Sequence, residues 1–208
     1  MPRLMDMGLD RLNGLLIEMA TLSQQAVSTS LEAYRKGGKG PEVKQMSDKL
    51  QTLHRQVSDL SMEMIARYQP VATDLRFLKA CLEISYGFFR YGRYAYDITQ
   101  VMEMFGDVSK CDQSFVSETA HKTQEMIRLS SEAFARRDVE MARNIPPMDD
   151  SVDESYRENL RRTIQGKGNL KCSLSAALIL RYLERIADHA TYIAESVEYI
   201  ATGIELTK

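Results

Sequence analysis

Leu9, Leu12, Leu15, Leu16, Met19 and Leu22 fall at steps of three and four, the repeat of a helix with one apolar face. That period predicts a first helix over residues 9–34, stopped by the GGKG run at 37–40. Pro41 suits the first turn of a second helix, which extends to about Arg67. Pro70 disfavours helical geometry at Gln69, and a third helix follows from about Thr73 to Met104. Phe105-Gly106-Asp107 and the polar stretch to Asp112 break the chain. The pattern then recurs: a helix over 114–137, a short helical piece at 139–144, an interruption at Asn144-Ile145-Pro146-Pro147, a helix over 149–165, a GKG turn, and a last helix over 170–202. The two-residue alternation of strands is absent throughout. The predicted class is all-α.

The recurrence has a register. At an offset of 95, Leu75 meets Leu170, Ile84 meets Ile179, Arg90 meets Arg185, Ala95 meets Ala190, Ile98 meets Ile193 and Glu103 meets Glu198. A duplicated three-helix unit explains this, with short turns making successive helices antiparallel. The expected architecture is two tandem antiparallel three-helix bundles with six long helices, divided as residues 1–108 and 109–208. Helices of this length run to about 40 Å, a rod-like assembly.

Composition narrows the function. A formal net charge of −2 argues against nucleic-acid binding, which draws on a basic excess. Cys81, Cys111 and Cys172 are odd in number and form no CxxC. That pattern reads against a disulfide framework or thiolate zinc site and suits a reducing, cytoplasmic setting. No apolar run reaches the roughly 18 residues of a membrane span. Asp6 and Asp10 interrupt any signal-peptide order at the N-terminus. His54, His121 and His189 are few and scattered, with His189 read as a helix-surface residue. Glu184-Arg-Ile-Ala lacks the His of the Glu-x-x-His repeats that di-iron bundles use, and no glycine-rich nucleotide loop or nucleophile–base pair is visible. The chain is not expected to be an enzyme.

Candidate chemistry gathers on the last helix. Ile179, Tyr182, Ile186, Ala190, Ile193, Val197, Ile200 and Ile204 share one face at 100° per residue. Glu184, Asp188 and Glu195 lie within about 40° of one another on the opposite side, an exposed or groove-edge stripe. Like charges four apart repel by roughly 0.2–0.5 kcal/mol, which a bound multivalent cation would turn into ligation. The competing reading is a solvated face neutralised by Arg181 and Arg185. A second acidic pair, Asp149 and Asp153, sits at the edge of the preceding helix, whose buried stripe is predicted as Val152, Tyr156, Leu160 and Ile164. The GKG turn makes these helices neighbours, so four carboxylates from two helices would form an all-oxygen set suited to hard cations.

QPVATDLRFLKA at 69–80 and YLERIADHATYIAESVEYI at 182–200 resemble the paired signatures of PhoU-type phosphate-uptake regulators, over essentially the whole chain. The resemblance implies tandem three-helix bundles whose E(D)xxxD motifs hold metal ions or clusters, iron among them. Carried over, Glu184 and Asp188 match that motif, and Asp149 and Asp153 match the acidic positions of the preceding helix; Glu195, from the stripe on the last helix, is a further candidate ligand. The ion would be Fe, Mn, Mg, Ca or Zn. The family's role is to restrain phosphate uptake and phosphate-dependent signalling by contact with a transporter ATPase subunit or a sensor kinase, and it makes a homodimer an expectation.

The first repeat departs from the motif. Phe89 and Arg93 stand where Glu184 and Asp188 do, and Ser47 and Gln51 replace the second-helix acids. Tyr86, Phe89, Arg93 and Tyr96 share one face, the composition of a protein contact; packing against a helix of the same bundle is the alternative. Two rival functions fit the same residues, a metal-buffering bundle unrelated to phosphate and a purely structural bundle.

Overall fold

A computed structural model describes residues 4–37, 40–166 and 168–204. Among the described residues the chain forms six long helices and one short one: α1 (Leu4–Lys36), α2 (Pro41–Tyr68), α3 (Ala72–Phe105), α4 (Ser114–Arg136), α5 (Val139–Arg143), α6 (Pro146–Ile164) and α7 (Leu170–Thr202). No strand occurs among them. Helices α1–α3 pack on one another as the first bundle, and α4, α6 and α7 form the second, with α5 laid against α4 and α7. The all-α tandem-bundle expectation holds.

Local chemistry sets the helix limits. Pro41 opens α2 after Gly40, which takes φ 51°, a left-handed conformation natural to glycine. Gln69 closes α2 at φ 46°, with its N–H donating to the Ile65 carbonyl. Two boundaries differ from the sequence reading. Helix α1 begins at Leu4, because Leu9 is not its first packed residue: Met5 also lies against the core. Pro146 and Pro147 start α6 rather than interrupting the chain, since proline's missing N–H is unbonded in a first helical turn anyway.

The two bundles share one apolar core. Its centre is the α3–α7 contact, the most extensive helix pair in the molecule. Gly87 makes that closeness possible: a Cβ there would lie 2.8 Å from Cγ1 of Ile193 on α7. Phe88, Tyr91, Ile84 and Ile98 of α3 and Ile179, Leu183, Ile186 and Ile193 of α7 are wholly buried, each such aliphatic or Phe side chain contributing about 1.5–3 kcal/mol. Helix α6 is held less firmly. Val152 is its one buried residue among those described, Tyr156 and Leu160 are only partly buried, and Ile164 is 84% exposed. The predicted stripe of α6 therefore survives at Val152 and fails at Ile164, where the helix has run past the end of the bundle core.

The three cysteines depart from the free-thiol pattern that their number and spacing suggest. Cys111 and Cys172 form a disulfide, leaving Cys81 as a free, buried thiol. An odd count excluded nothing, because in a three-helix bundle the first and third helices run parallel. Cys111, just before α4, and Cys172, in the first turn of α7, therefore meet at one end although 61 residues apart.

Candidate functional site

Asn169 fixes the start of α7, its side chain accepting from the Cys172 N–H. From there α7 runs between α3, α4 and α6, covered on more than the single face that its period suggests. Glu184 is consequently only 9% exposed, whereas the sequence reading placed it on an exposed or edge stripe. The reason is α6, whose packing against α7 covers the side of the helix opposite the main core. Arg181 donates to Glu184 Oε1 at 2.6 Å, while Oε2 is buried with no hydrogen-bond partner. Asp188 accepts from Arg185 at 2.9 Å, and Asp153 of α6 accepts from Arg157 at 2.9 Å.

Burial pushes the Glu184 carboxyl up to about 7, helped by the neighbouring charges of Asp188 and then Asp153 and opposed by Arg181 and Arg185. Asp153 therefore stands within electrostatic reach of Glu184, as the adjacency of α6 and α7 requires. In antiparallel helices the step from Asp153 back to Asp149 matches the step from Glu184 on to Asp188 (about 6 Å each). Asp149 is partly buried at that level. Glu195, also partly buried, is three turns beyond Glu184, roughly 16 Å along the axis, too far to share one ion with it. Among the described residues no three His, Cys, Asp or Glu side chains form a ready ligand group. Arginines occupy Glu184, Asp188 and Asp153 instead. The fit to a cation rests on the orphaned Oε2, a buried acceptor for which the protein provides no donor.

Beside this acidic edge runs the α3–α7 seam. The guanidinium of Arg90 lies over the Tyr94 ring at 4.5 Å and the Tyr86 ring at 5.8 Å, and donates to the Tyr94 hydroxyl. Its duplicate, Arg185, reaches the same hydroxyl at 3.5 Å. His189 sits among Tyr86, Tyr94 and Tyr192, with centroid distances of 5.6, 5.9 and 5.5 Å. It is 5% exposed, not a surface residue, and burial, with Arg90 and Arg185 nearby, lowers it to about 4. His54 lies on the other side of Tyr86 at 5.9 Å, so two of the three histidines share one aromatic cluster. The available signal was Gly87, level with His189 across the seam.

On the first bundle the candidate contact residues lie on α3. Tyr86 is 42% exposed. Phe89 is partly buried and stacks on His54 of α2 at 5.6 Å. Arg93 is half exposed, pairs with Asp97 at 3.2 Å and covers the Tyr96 ring at 5.6 Å. Tyr96 packs partly against the core. Phe89 and Arg93 hold the places of Glu184 and Asp188, and Ser47 is buried, so this face offers no matching carboxylate set.

The PhoU domain family matches residues 16–102 and 116–197, one copy in each repeat. The chain belongs to the PhoU family. A "Phosphate-specific transport system accessory protein PhoU homolog" of Synechocystis is 30% identical over 93% of this chain and 86% of its own length. One of Pseudomonas aeruginosa is 27% identical over 92% and 82%. The crystal structure of PhoU from Pseudomonas aeruginosa superposes with a TM-score of 0.88 at 25% identity, covering 96% of this chain and 99% of that one. The phosphate transport system regulatory protein PhoU from Streptococcus pneumoniae gives 0.87 at 18% identity over 98% and 100%, a likeness of fold. The resemblance carried by the QPVATDLRFLKA and YLERIADHATYIAESVEYI stretches thus stands for both repeats. No helix among the described residues is long and apolar enough to cross a membrane.

Proposed function

We propose that this PhoU-family chain is an accessory regulator of phosphate transport and phosphate-dependent signalling. It works by protein contact, without catalysis, in the cytoplasm, on a phosphate transporter ATPase subunit or a sensor kinase. Residues 1–108 form the unit without the acidic motif, and residues 109–208 the unit that retains it. Relatives described as phosphate-specific transport system accessory proteins support the role.

The observation that carries the site is the buried, donorless Oε2 of Glu184 next to Asp188 and Asp153. Glu184, Asp188, Asp153 and Asp149 would hold a divalent or trivalent cation, iron, manganese, magnesium, calcium or zinc, once Arg181, Arg185 and Arg157 turn outward. A hard cation there supplies positive charge that the arginines now provide. Arg185 links this edge to Tyr94 on α3, and the Tyr86, Phe89, Arg93 and Tyr96 face lies along the same helix. Together they give a contact surface rich in Arg and aromatic groups, open to a partner or to a second copy of the chain.

The test is genetic. Deleting the gene should raise phosphate uptake in phosphate-replete cells, and the wild-type chain should restore restraint. Glu184→Ala/Asp188→Ala should restore it poorly. Unchanged uptake on deletion would defeat the proposal and favour a metal-buffering role.

A further inference from the structure

The Cys111–Cys172 bond is placed where it can be opened without dismantling the core. Cys111 belongs to the segment joining the bundles, residues 106–113, and Cys172 to the first turn of α7. Both are partly exposed. They line an open surface cleft of about 400 Å³ with Lys110, Arg162, Asn169 and Ser173. A reductant can therefore reach the sulfurs, in a cleft where the Asp112 carboxylate stands with Arg162 and Lys110. Cys81 offers a built-in contrast. It is buried in the first bundle, and burial pushes its thiol up to about 12, so it stays protonated and unreactive.

The bond sits beside the thinly packed end of α6, whose one buried residue among those described is Val152. The 61-residue span it closes carries α4, α5 and α6. The far end of α6 leaves Ile164 exposed, and Leu170 at the start of α7 is exposed too. The joining segment bonds largely to itself, as in Cys111 N–H to the Val108 carbonyl and Ser109 N–H to Asp107 Oδ1; Lys171 Nζ donates to the Asp107 carbonyl at 2.9 Å, Gln113 Nε2 donates to the Tyr34 carbonyl at 3.4 Å, and Val108 is its buried anchor. The end of α6 and the start of α7, with large apolar side chains left exposed, are the kind of region that opens locally at low free energy.

We propose that Cys111–Cys172 is a reversible thiol–disulfide exchange site acting as a strap across this end of the second bundle, opened by a dithiol reductant. One thiolate of the dithiol attacks one sulfur, forming a mixed disulfide and releasing the other cysteine as thiolate. The second thiol then displaces the first cysteine. Two electrons and two protons pass to the chain, and the dithiol leaves as a disulfide. Opening frees the 106–113 segment and the α6–α7 end, while the α3–α7 core keeps its packing.

The experiment uses the full chain and dithiothreitol. Alkylation under denaturing conditions should add one adduct to the untreated protein and three after dithiothreitol treatment of the native fold, with oxidised dithiothreitol returning it to one. Hydrogen exchange in 106–113 and 157–175 should quicken at least tenfold on reduction, with α1 and α3 unchanged. Cys81→Ser should keep the response, and Cys111→Ser should exchange permanently like the reduced protein. If that variant does not fold, reduced wild type supplies the same readout. Three adducts without reductant, a bond that native-state dithiothreitol cannot open or reoxidation cannot restore, or exchange that is unchanged or rises evenly along the chain would overturn the proposal.

Discussion

Glu184 and His189 lie five positions apart in sequence and titrate in opposite senses, which makes a sharp pH prediction. Glu184 moves from 4.5 up to about 7, so between those values the native chain keeps a proton that the unfolded chain has released. Its contribution is full below pH 4.5 and is lost as pH rises through 7. His189 moves from 6.5 down to about 4, so the unfolded chain holds a proton that the native one refuses. Its contribution is full above pH 6.5 and is lost as pH falls towards 4. Each slope is at most about 1.4 kcal/mol per pH unit, and across pH 4.5–6.5 the two oppose each other. Glu184→Gln removes one slope, so stability of that variant should rise with pH. His189→Gln removes the other, so its stability should rise less or fall. The slopes of the two variants should differ by up to about 2.7 kcal/mol per pH unit. Shared titrations elsewhere cancel in that difference. Urea unfolding in chelator at half-unit pH steps measures it. Parallel slopes for both variants would refute the burial argument at both sites.

Packing supports three further predictions. Gly92→Ala puts a Cβ 2.3 Å from Cδ1 of the wholly buried Leu50; urea unfolding should show a loss of about 1–3 kcal/mol. Val152→Ala empties the buried anchor of α6 at a cost of about 2 kcal/mol, and hydrogen exchange should quicken in α6 before α3. Arg161→Ala breaks two exposed pairs, with Glu154 and Glu158, and should change stability by less than about 1 kcal/mol.

Helix order and the tandem design were legible because long amphipathic stripes encode them directly, and the offset matching Arg90 to Arg185 exposes the duplication. Other features depended on what surrounds a helix, which a period cannot report. Glu184 lies opposite the Ile179–Ile186 stripe, yet α6 covers it. His189 follows a charged residue, yet the missing side chain of Gly87 draws α3 against it. Pro146 and Pro147 have the same chemistry at a break as at a helix start, and only the turn supplied by Ala142 and Ile145, both buried, decides between them. The disulfide required knowing that α4 and α7 begin at the same end. Of the candidate ligands, neighbouring helices bring Asp153 to Glu184, and helix rise alone separates Glu195.

On the proposed function, the chain acts by contact with the phosphate transport machinery through a surface conditioned by the α6–α7 carboxylates. Titrating the purified chain against the ATP-hydrolysing subunit of the same organism's phosphate transporter tests it, with metal content measured in each sample. Saturable binding that weakens at least tenfold in Glu184→Gln/Asp188→Asn, alongside loss of bound cation, is the predicted result. No binding to that subunit or to the phosphate-sensing kinase, by a folded and metal-analysed chain, would contradict it.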